Sequence, residues 1–255
     1  MDPYAVLPAL LREGLPDAPA SGRSGPSAHA RSAGGFVDAV TLDEALALYH
    51  QVRKAQPAAS GEIGLYSGAS TLSILQALDD AGRGEHFACD PFQGDLGNVG
   101  LANVERAGLT SRLRFSAVFP EEAVPGWPKL DFAFIDASHL FDLTVLDFVL
   151  IDKRLNVGAV VALHDVWMPA LQRVARWAVT NRGYVMEPGS GRPVTPGISA
   201  RSAIGRALRR LPRADRVFTQ DVLHPWSEFE PSGAHMIFLR KTVDDHRDWR
   251  FFRAF

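Results

Sequence analysis

Read for the spacing of its apolar positions, the chain divides into an unpatterned start, a long alternating middle and an irregular end. Residues 1–35, with PDAPASGRSGPSAHARSAGG, are rich in Ser, Gly, Pro and Ala and predict a flexible N-terminal arm. Leu42, Ala45, Leu46, Tyr49 and Val52 recur at helical spacing and predict one apolar face over TLDEALALYHQVRKAQP. Thr41 with Glu44 makes a capping box at its start, and Pro57 ends it. Short apolar runs then alternate with helical ones. Strands are predicted at 61–65, HFACD, RLRFSAV, DFAFID and AVVALHD. Helices are predicted at 71–80, GNVGLANVERAGL, LFDLTVLDFVLIDKRL and MPALQRVARWAVTN, with an exit turn at Asn156, Val157 and Gly158. Strands alternating with helices give an α/β fold, a Rossmann-like doubly wound and mainly parallel sheet covered on both faces. Residues 36–255 read as a single domain. After Gly183 the rhythm breaks into YVMEP, a Pro/Gly loop with a basic helix that predicts a lid-like insertion around 186–212, a strand candidate HMIFLRK, and the tail DDHRDWRFFRAF.

Composition narrows the partners. A net charge of −2 over 255 residues gives no field of one sign, so neither nucleic acid nor an anionic membrane surface is expected. No apolar run approaches the ~20 residues of a membrane span, and the N-terminus has no signal-peptide pattern. The single cysteine, Cys89, excludes an internal disulfide and a cysteine-built metal site and suits a reducing, cytoplasmic setting. The aromatic tail DWRFFRAF offers a surface for a homo-oligomer.

Two constellations carry the chemistry. The first is GEIGLYSGAS at residues 61–70, where a strand turns into a helix. Ligands of doubly wound sheets bind beyond the carboxyl ends of the strands, and glycines there let a ligand approach the backbone and the N–H groups of the next helix. Asp90, 22 residues after Gly68 and at the end of the second strand, is placed as the acid for two ribose hydroxyls. The glycines run Gly61, Gly64, Gly68, wider than the dinucleotide fingerprint, which points to a nucleoside ligand without a pyrophosphate. Glu62 is expected to order the turn through hydrogen bonds.

The second constellation is FIDASH and LHDV, after the fourth and fifth strands. If those strands are neighbours, Asp136, His139, His164 and Asp165 converge at the carboxyl edge beside the ligand. Such a set can hold a hard divalent cation, and His139 can take a proton from a substrate hydroxyl. Asp136 and Asp165 have a lesser, alternative reading as helix caps, and His139 as a packed histidine. Trp167, directly after HDV, is placed to line a substrate pocket.

The ordered set E-I-G-x-Y-x-G-x-S, C-D-P-F-Q, F-I-D-A-S-H and H-D-V-W resembles the class I S-adenosylmethionine-dependent methyltransferases. It is most similar to the group with the macrocin-type sugar O-methyltransferases and the cephalosporin-hydroxylase-like proteins, over roughly residues 40–185. The resemblance implies a seven-stranded sheet with an antiparallel last strand. It implies an S-adenosyl-L-methionine site at Glu62, Gly64, Tyr66, Gly68, Ser70 and Asp90, bordered by Asp136, with Ser116 toward the adenine in place of the usual acidic residue. It also implies metal ligands at Asp136 and Asp165 and a base at His139. His164 stands where those relatives carry an acid, which weakens a Mg2+ site and favours Mn2+ or another metal that accepts nitrogen.

The expected activity is methyl transfer to a hydroxyl of a small-molecule acceptor, a sugar or a natural-product scaffold. Three alternatives stay open: a metal-independent N- or C-methyltransferase, a nicotinamide-dependent oxidoreductase on a similar sheet, and a non-catalytic cofactor-binding protein of the same fold.

Overall fold

The computed structural model describes residues 40–187, 200–218, 220–223, 236–251, 253 and 255. The expected arm over 1–35 and residues 188–199 of the expected lid lie outside the described residues. Seven strands form a mixed sheet, mostly parallel, and the contacts divide the chain into two compact units. The first runs to Ala137 and includes Leu146–Ala159, and the second comprises Ser138–Val145 and Val160–Phe255.

The first unit opens with α1, Leu42–Ala55. Thr41 accepts from the Glu44 N–H at 3.4 Å and donates its own N–H to Glu44 Oε2 at 2.8 Å, so two end donors are satisfied by one pair. Asp43 and Glu44 in the first turn and Arg53 and Lys54 in the last complement the helix dipole. The buried face is Ala45, Leu48, Tyr49 and Val52. Leu42, expected on it, is exposed, and Leu46 is only half-buried. The face is rotated toward Leu48 because both Leu48 and Tyr49 turn inward, leaving Leu42 at the helix mouth.

Strand β1, Ala59–Ile63, is buried along its whole length, as befits a central parallel strand. It starts two residues earlier than the sequence predicted. Gly61 therefore belongs to the strand and not to the turn. A Cβ at Gly61 would lie 2.8 Å from both the Trp127 ring and Leu130, so packing requires this glycine. Helix α2 spans Ala69–Asp80, and β2 spans Glu85–Cys89. Helix α3, Val99–Arg106, leads to β3, Leu113–Ser116. A short helix α4, Pro120–Ala123, precedes β4, Leu130–Ile135. Within this unit β1 pairs in parallel with both β2 and β4, and β3 lies beyond β2.

Helix α5 is Phe141–Arg154, and β5 is Leu155–Leu163. The predicted exit turn at Asn156, Val157 and Gly158 is instead the first part of β5. Asn156 Nδ2 donates to Asp131 Oδ1 at 2.8 Å, and Gly158, at φ 92°, absorbs the backbone change that the turn was expected to make.

In the second unit, α6 spans Pro169–Asn181, β6 Tyr184–Met186 and β7 Ile237–Lys241. β7 runs antiparallel to both β5 and β6, with Val160 opposite Arg240 and Tyr184 opposite Lys241. The antiparallel last strand is as the resemblance implied. The basic stretch forms α7, Ala200–Leu208. The tail folds back on α6: Asn181 Nδ2 donates to the Arg253 carbonyl at 3.0 Å, and the Phe141 and Phe255 rings stack at 6.4 Å. No helix among the described residues is long and apolar enough to cross a membrane.

The rotated face of α1 has a direct consequence. Leu48→Ala is expected to cost about 2–5 kcal/mol and Leu42→Ala no more than about 0.5 kcal/mol, measured by urea denaturation. Equal costs would restore the face read from the sequence.

Candidate active site

The glycine turn between β1 and α2 is held from two sides. Behind it, the carboxylate of Glu62 is fully buried. Thr71 donates its hydroxyl to Glu62 Oε2 at 2.6 Å, and Ser70 donates to Oε1. His86 Nε2 meets Oε2 at 2.8 Å, and its Nδ1 lies 2.9 Å from the Ser60 hydroxyl. Glu62 and Ser70, both predicted to meet a cofactor, are thus engaged with each other. They pin the first turn of α2 to the sheet, and Thr71 and His86, which the sequence reading did not single out, complete the set. A polar cluster buried this deeply is tolerated because its members satisfy one another.

In front of the turn stands Asp90, also buried. Its Oδ2 accepts the Leu65 N–H at 3.1 Å, the Tyr66 N–H at 2.9 Å and the Gln93 side-chain N–H at 3.0 Å. Its Oδ1 accepts the Phe92 N–H at 2.9 Å. Three of these donors fall on Oδ2 and one on Oδ1, so Oδ1 is the less engaged of the two oxygens.

The turn's backbone is built for close approach. Gly64 has φ 89°, and a Cβ there would fall inside the shell of the Asp136 carbonyl oxygen. Tyr66 is left-handed at φ 45°, and Gly68 starts α2 at φ 84° with no side-chain cap. The leading N–H groups of α2 thus keep no capping side chain. From the other side comes Gly100, at the start of α3, where a Cβ would lie 2.5 Å from the Tyr66 carbonyl oxygen. Asn103 on the same helix donates to the Ser67 carbonyl at 2.9 Å. Ser116 ends β3 opposite Cys89, and its carbonyl accepts the Asp90 N–H at 3.2 Å, so its main chain rather than its side chain is engaged at the site.

Two buried oxygens at this turn have no hydrogen-bond partner among the described residues: Ser67 Oγ and Gln93 Oε1. Buried polar atoms are seldom left so. Gln93 is a site residue whose role was not assigned from the sequence, although it lies in the quoted CDPFQ. Its signal is an amide three residues past the strand-end acid.

The second constellation lies in the second unit, save Asp136, which follows β4 in the first and donates its N–H to the Ile63 carbonyl at 3.0 Å. His139 Nε2 is 3.0 Å from Asp165 Oδ2, and His164 Nδ1 is 3.6 Å from the same oxygen. Trp167 donates its indole N–H to Asp165 Oδ1 at 2.7 Å. Burial works to raise the Asp165 pKa, but the hydrogen bonds from His139 and Trp167, with the His164 imidazole at 3.6 Å, outweigh it and hold this carboxyl far below the usual carboxylate range. Asp165 is ionised throughout the physiological range. His139 and Asp165 also adopt left-handed backbone, at φ 57° and 51°. Side chains other than glycine pay for that conformation, and such strain collects at functional sites.

Residues 62–166 match a family model described as a methyltransferase domain. Over 141 residues the chain is 30% identical to tapetum-specific methyltransferase 1 of Arabidopsis thaliana, covering 52% of this chain and 57% of that protein. The chain thus spans little more than half the length of that curated relative. Its fold resembles an O-methyltransferase from Bacillus cereus solved with SAH, at TM-score 0.53 and 17% identity, covering 59% of this chain and 75% of that one. It also resembles the O-methyltransferase TomG of Streptomyces achromogenes, solved with SAM, at TM-score 0.50 and 19% identity, covering 60% and 77%.

Removing the acceptor at the centre of the buried cluster tests its structural role. Glu62→Ala strands two hydroxyls and an imidazole in the interior and is expected to lower unfolding free energy by about 3 kcal/mol or more in urea. A loss below about 1 kcal/mol would mean that the cluster does not hold the turn.

Proposed function

We propose that this chain, a protein of class I methyltransferase fold whose residues 62–166 belong to the methyltransferase-domain family, moves a methyl group from S-adenosyl-L-methionine to a hydroxyl oxygen of a small molecule. A sugar or natural-product scaffold is the acceptor class, and the cytoplasm, where the lone buried Cys89 stays reduced, is the setting. The observation that carries the reading is the prepared turn: Asp90 fixes the Leu65 and Tyr66 amides while Ser67 Oγ and Gln93 Oε1 remain buried without partners beside it.

The residues fit that cofactor in its parts. Asp90 takes the ribose hydroxyls, through Oδ1, its less engaged oxygen. The uncapped start of α2 and the glycine backbone receive the amino-acid end, with Ser67 and Gln93 as hydrogen-bond partners. S-adenosylmethionine supplies an electrophilic methyl on a sulfonium, so the protein needs only a nucleophilic oxygen aligned with it.

His139 is the base. Its Nε2–H is donated to Asp165 Oδ2, which makes Nδ1 the basic nitrogen and stabilises the imidazolium formed when the acceptor hydroxyl loses its proton. The indole of Trp167, half-exposed and fixed through Asp165, forms a flat wall for the acceptor. Within the second unit, the Asp165 carboxylate with the His139 and His164 imidazoles beside it is suited to hold a divalent cation. A cation held there would lower the pKa of an acceptor hydroxyl.

The test is transfer of a labelled methyl from S-adenosylmethionine to a panel of hydroxylated acceptors. His139→Gln is expected to lower turnover about 10²- to 10⁴-fold with cofactor affinity unchanged. Chelation is expected to lower turnover, and Mn2+ to restore it. Full turnover in both His139→Gln and chelated enzyme would overturn the mechanism. Transfer to nitrogen or carbon only would favour the metal-independent alternative.

A further inference from the structure

The net charge of −2 is an average that conceals one concentrated stretch. Residues 200–218 carry six arginines, Arg201, Arg206, Arg209, Arg210, Arg213 and Arg216, against one acid, Asp215. None of them takes part in the chemistry proposed above. The segment opens with α7, and its turns continue beyond Leu208. Arg209 donates its N–H to the Gly205 carbonyl at 3.0 Å, and Leu211 donates to that of Leu208 at 3.0 Å. Two short helices follow, α8 at Ala214–Val217 and α9 at Gln220–Leu223. The inward side is small. Gly205 and Ala214 are buried, and so is Leu223, whose carbonyl accepts from Arg209 Nη1 at 3.1 Å and ties α7 to α9.

The outward side combines two kinds of residue. Ile204, Ala207 and Leu211, at i, i+3 and i+7, share one face of the helix. Ile204 is 56% exposed and Leu211 51%, and Val217 at the end of α8 is 74% exposed. Arg206 and Arg210, four residues apart, share the neighbouring face and are exposed, as are Arg213 and Arg216. A single aliphatic side chain in water needs no partner, but an aliphatic stripe flanked by guanidinium groups is the pattern of a helix that lies in a membrane interface.

Chemistry separates the occupants of such a face. A second copy of the chain would set arginine against arginine. A nucleic acid offers phosphates to the arginines but nothing to the aliphatic stripe on their flank. An anionic lipid surface offers both at two depths, headgroup phosphates above and acyl chains below, and arginine stems reach between them. A helix in the plane of the surface does not need the length of a membrane span. The anionic leaflet faces the cytoplasm, the setting proposed above.

We propose that residues 200–218 rest on an anionic lipid surface, with Ile204 and Leu211 entering the acyl boundary and Arg206, Arg210, Arg213 and Arg216 meeting the headgroup phosphates. This docking stands independently of the methyl-transfer assignment.

The experiment is co-sedimentation of the full chain with vesicles of phosphatidylcholine alone and of phosphatidylcholine with phosphatidylglycerol at about 3:1, at about 1 mM lipid. Wild type, Arg206→Gln/Arg210→Gln and Ile204→Ser/Leu211→Ser are compared, with circular dichroism confirming the fold of each. Wild type is expected to bind the anionic vesicles at least about tenfold more strongly than the neutral ones, and to lose that preference between about 0.1 M and about 0.5 M salt. The arginine variant should partition at least about tenfold more weakly, since each arginine near such a surface is worth about fivefold. The serine variant leaves the charge unchanged and should also partition about tenfold more weakly, which adhesion by charge alone would not produce. Failure of wild type to sediment with anionic vesicles overturns the proposal, as does equal binding to neutral ones. Wild-type partitioning by the serine variant overturns the embedded helix. Binding of a single-stranded oligouridylate without binding of anionic vesicles would assign the arginines to nucleic acid instead.

Discussion

The carboxylate of Asp90 holds the site in shape. Two main-chain N–H groups of the glycine turn, one from its own following loop and one side-chain amide all point at it. Without that acceptor the left-handed conformation of Tyr66 and the path from Gly64 to Gly68 would have no anchor in front. Glu62 supplies the anchor behind, and the two carboxylates sit at the ends of adjacent parallel strands, β1 and β2. The turn is anchored on both sides by the chain's own hydrogen bonds. A preorganised site of this kind spends little of its binding energy on ordering itself.

Much of this was legible because the fold leaves local marks. The Thr41–Glu44 box, the strand–helix alternation and the acid at the end of the second strand are all short-range patterns, and they gave the sheet and the position of the glycine turn. The misreadings came from choices that depend on tertiary packing. Gly61 looked like part of the turn, yet its role is to admit Trp127 and Leu130 against β1. Gly158 looked like an exit turn, yet the strand runs through it. The face of α1 was set by which neighbours Leu48 meets. Ser70 and Glu62 carried the right motif, but only the structure shows them bonded to each other.

The second constellation follows a different logic. Two donors, His139 and Trp167, and the nearby His164 imidazole converge on Asp165, which remains an anion although burial opposes it. A permanent negative charge next to His139 suits the imidazole to receive a proton, and the left-handed backbone at both residues shows that the chain accepts strain to set them there. His164, where the relatives carry an acid, lies 3.6 Å from Asp165 and favours its charged form, so the departure from the family pattern is absorbed in how that carboxylate is held.

Whether the turn is a cofactor cradle is tested most directly by calorimetric titration of S-adenosylhomocysteine into wild type and Asp90→Asn at one pH near 6. Replacing the carboxylate removes one acceptor and introduces a donor facing the turn's own N–H groups. Micromolar binding by wild type, lost in the variant, is the result this account predicts. Equal affinity in the two, or no binding by wild type, would contradict it and leave the glycine turn as structure alone.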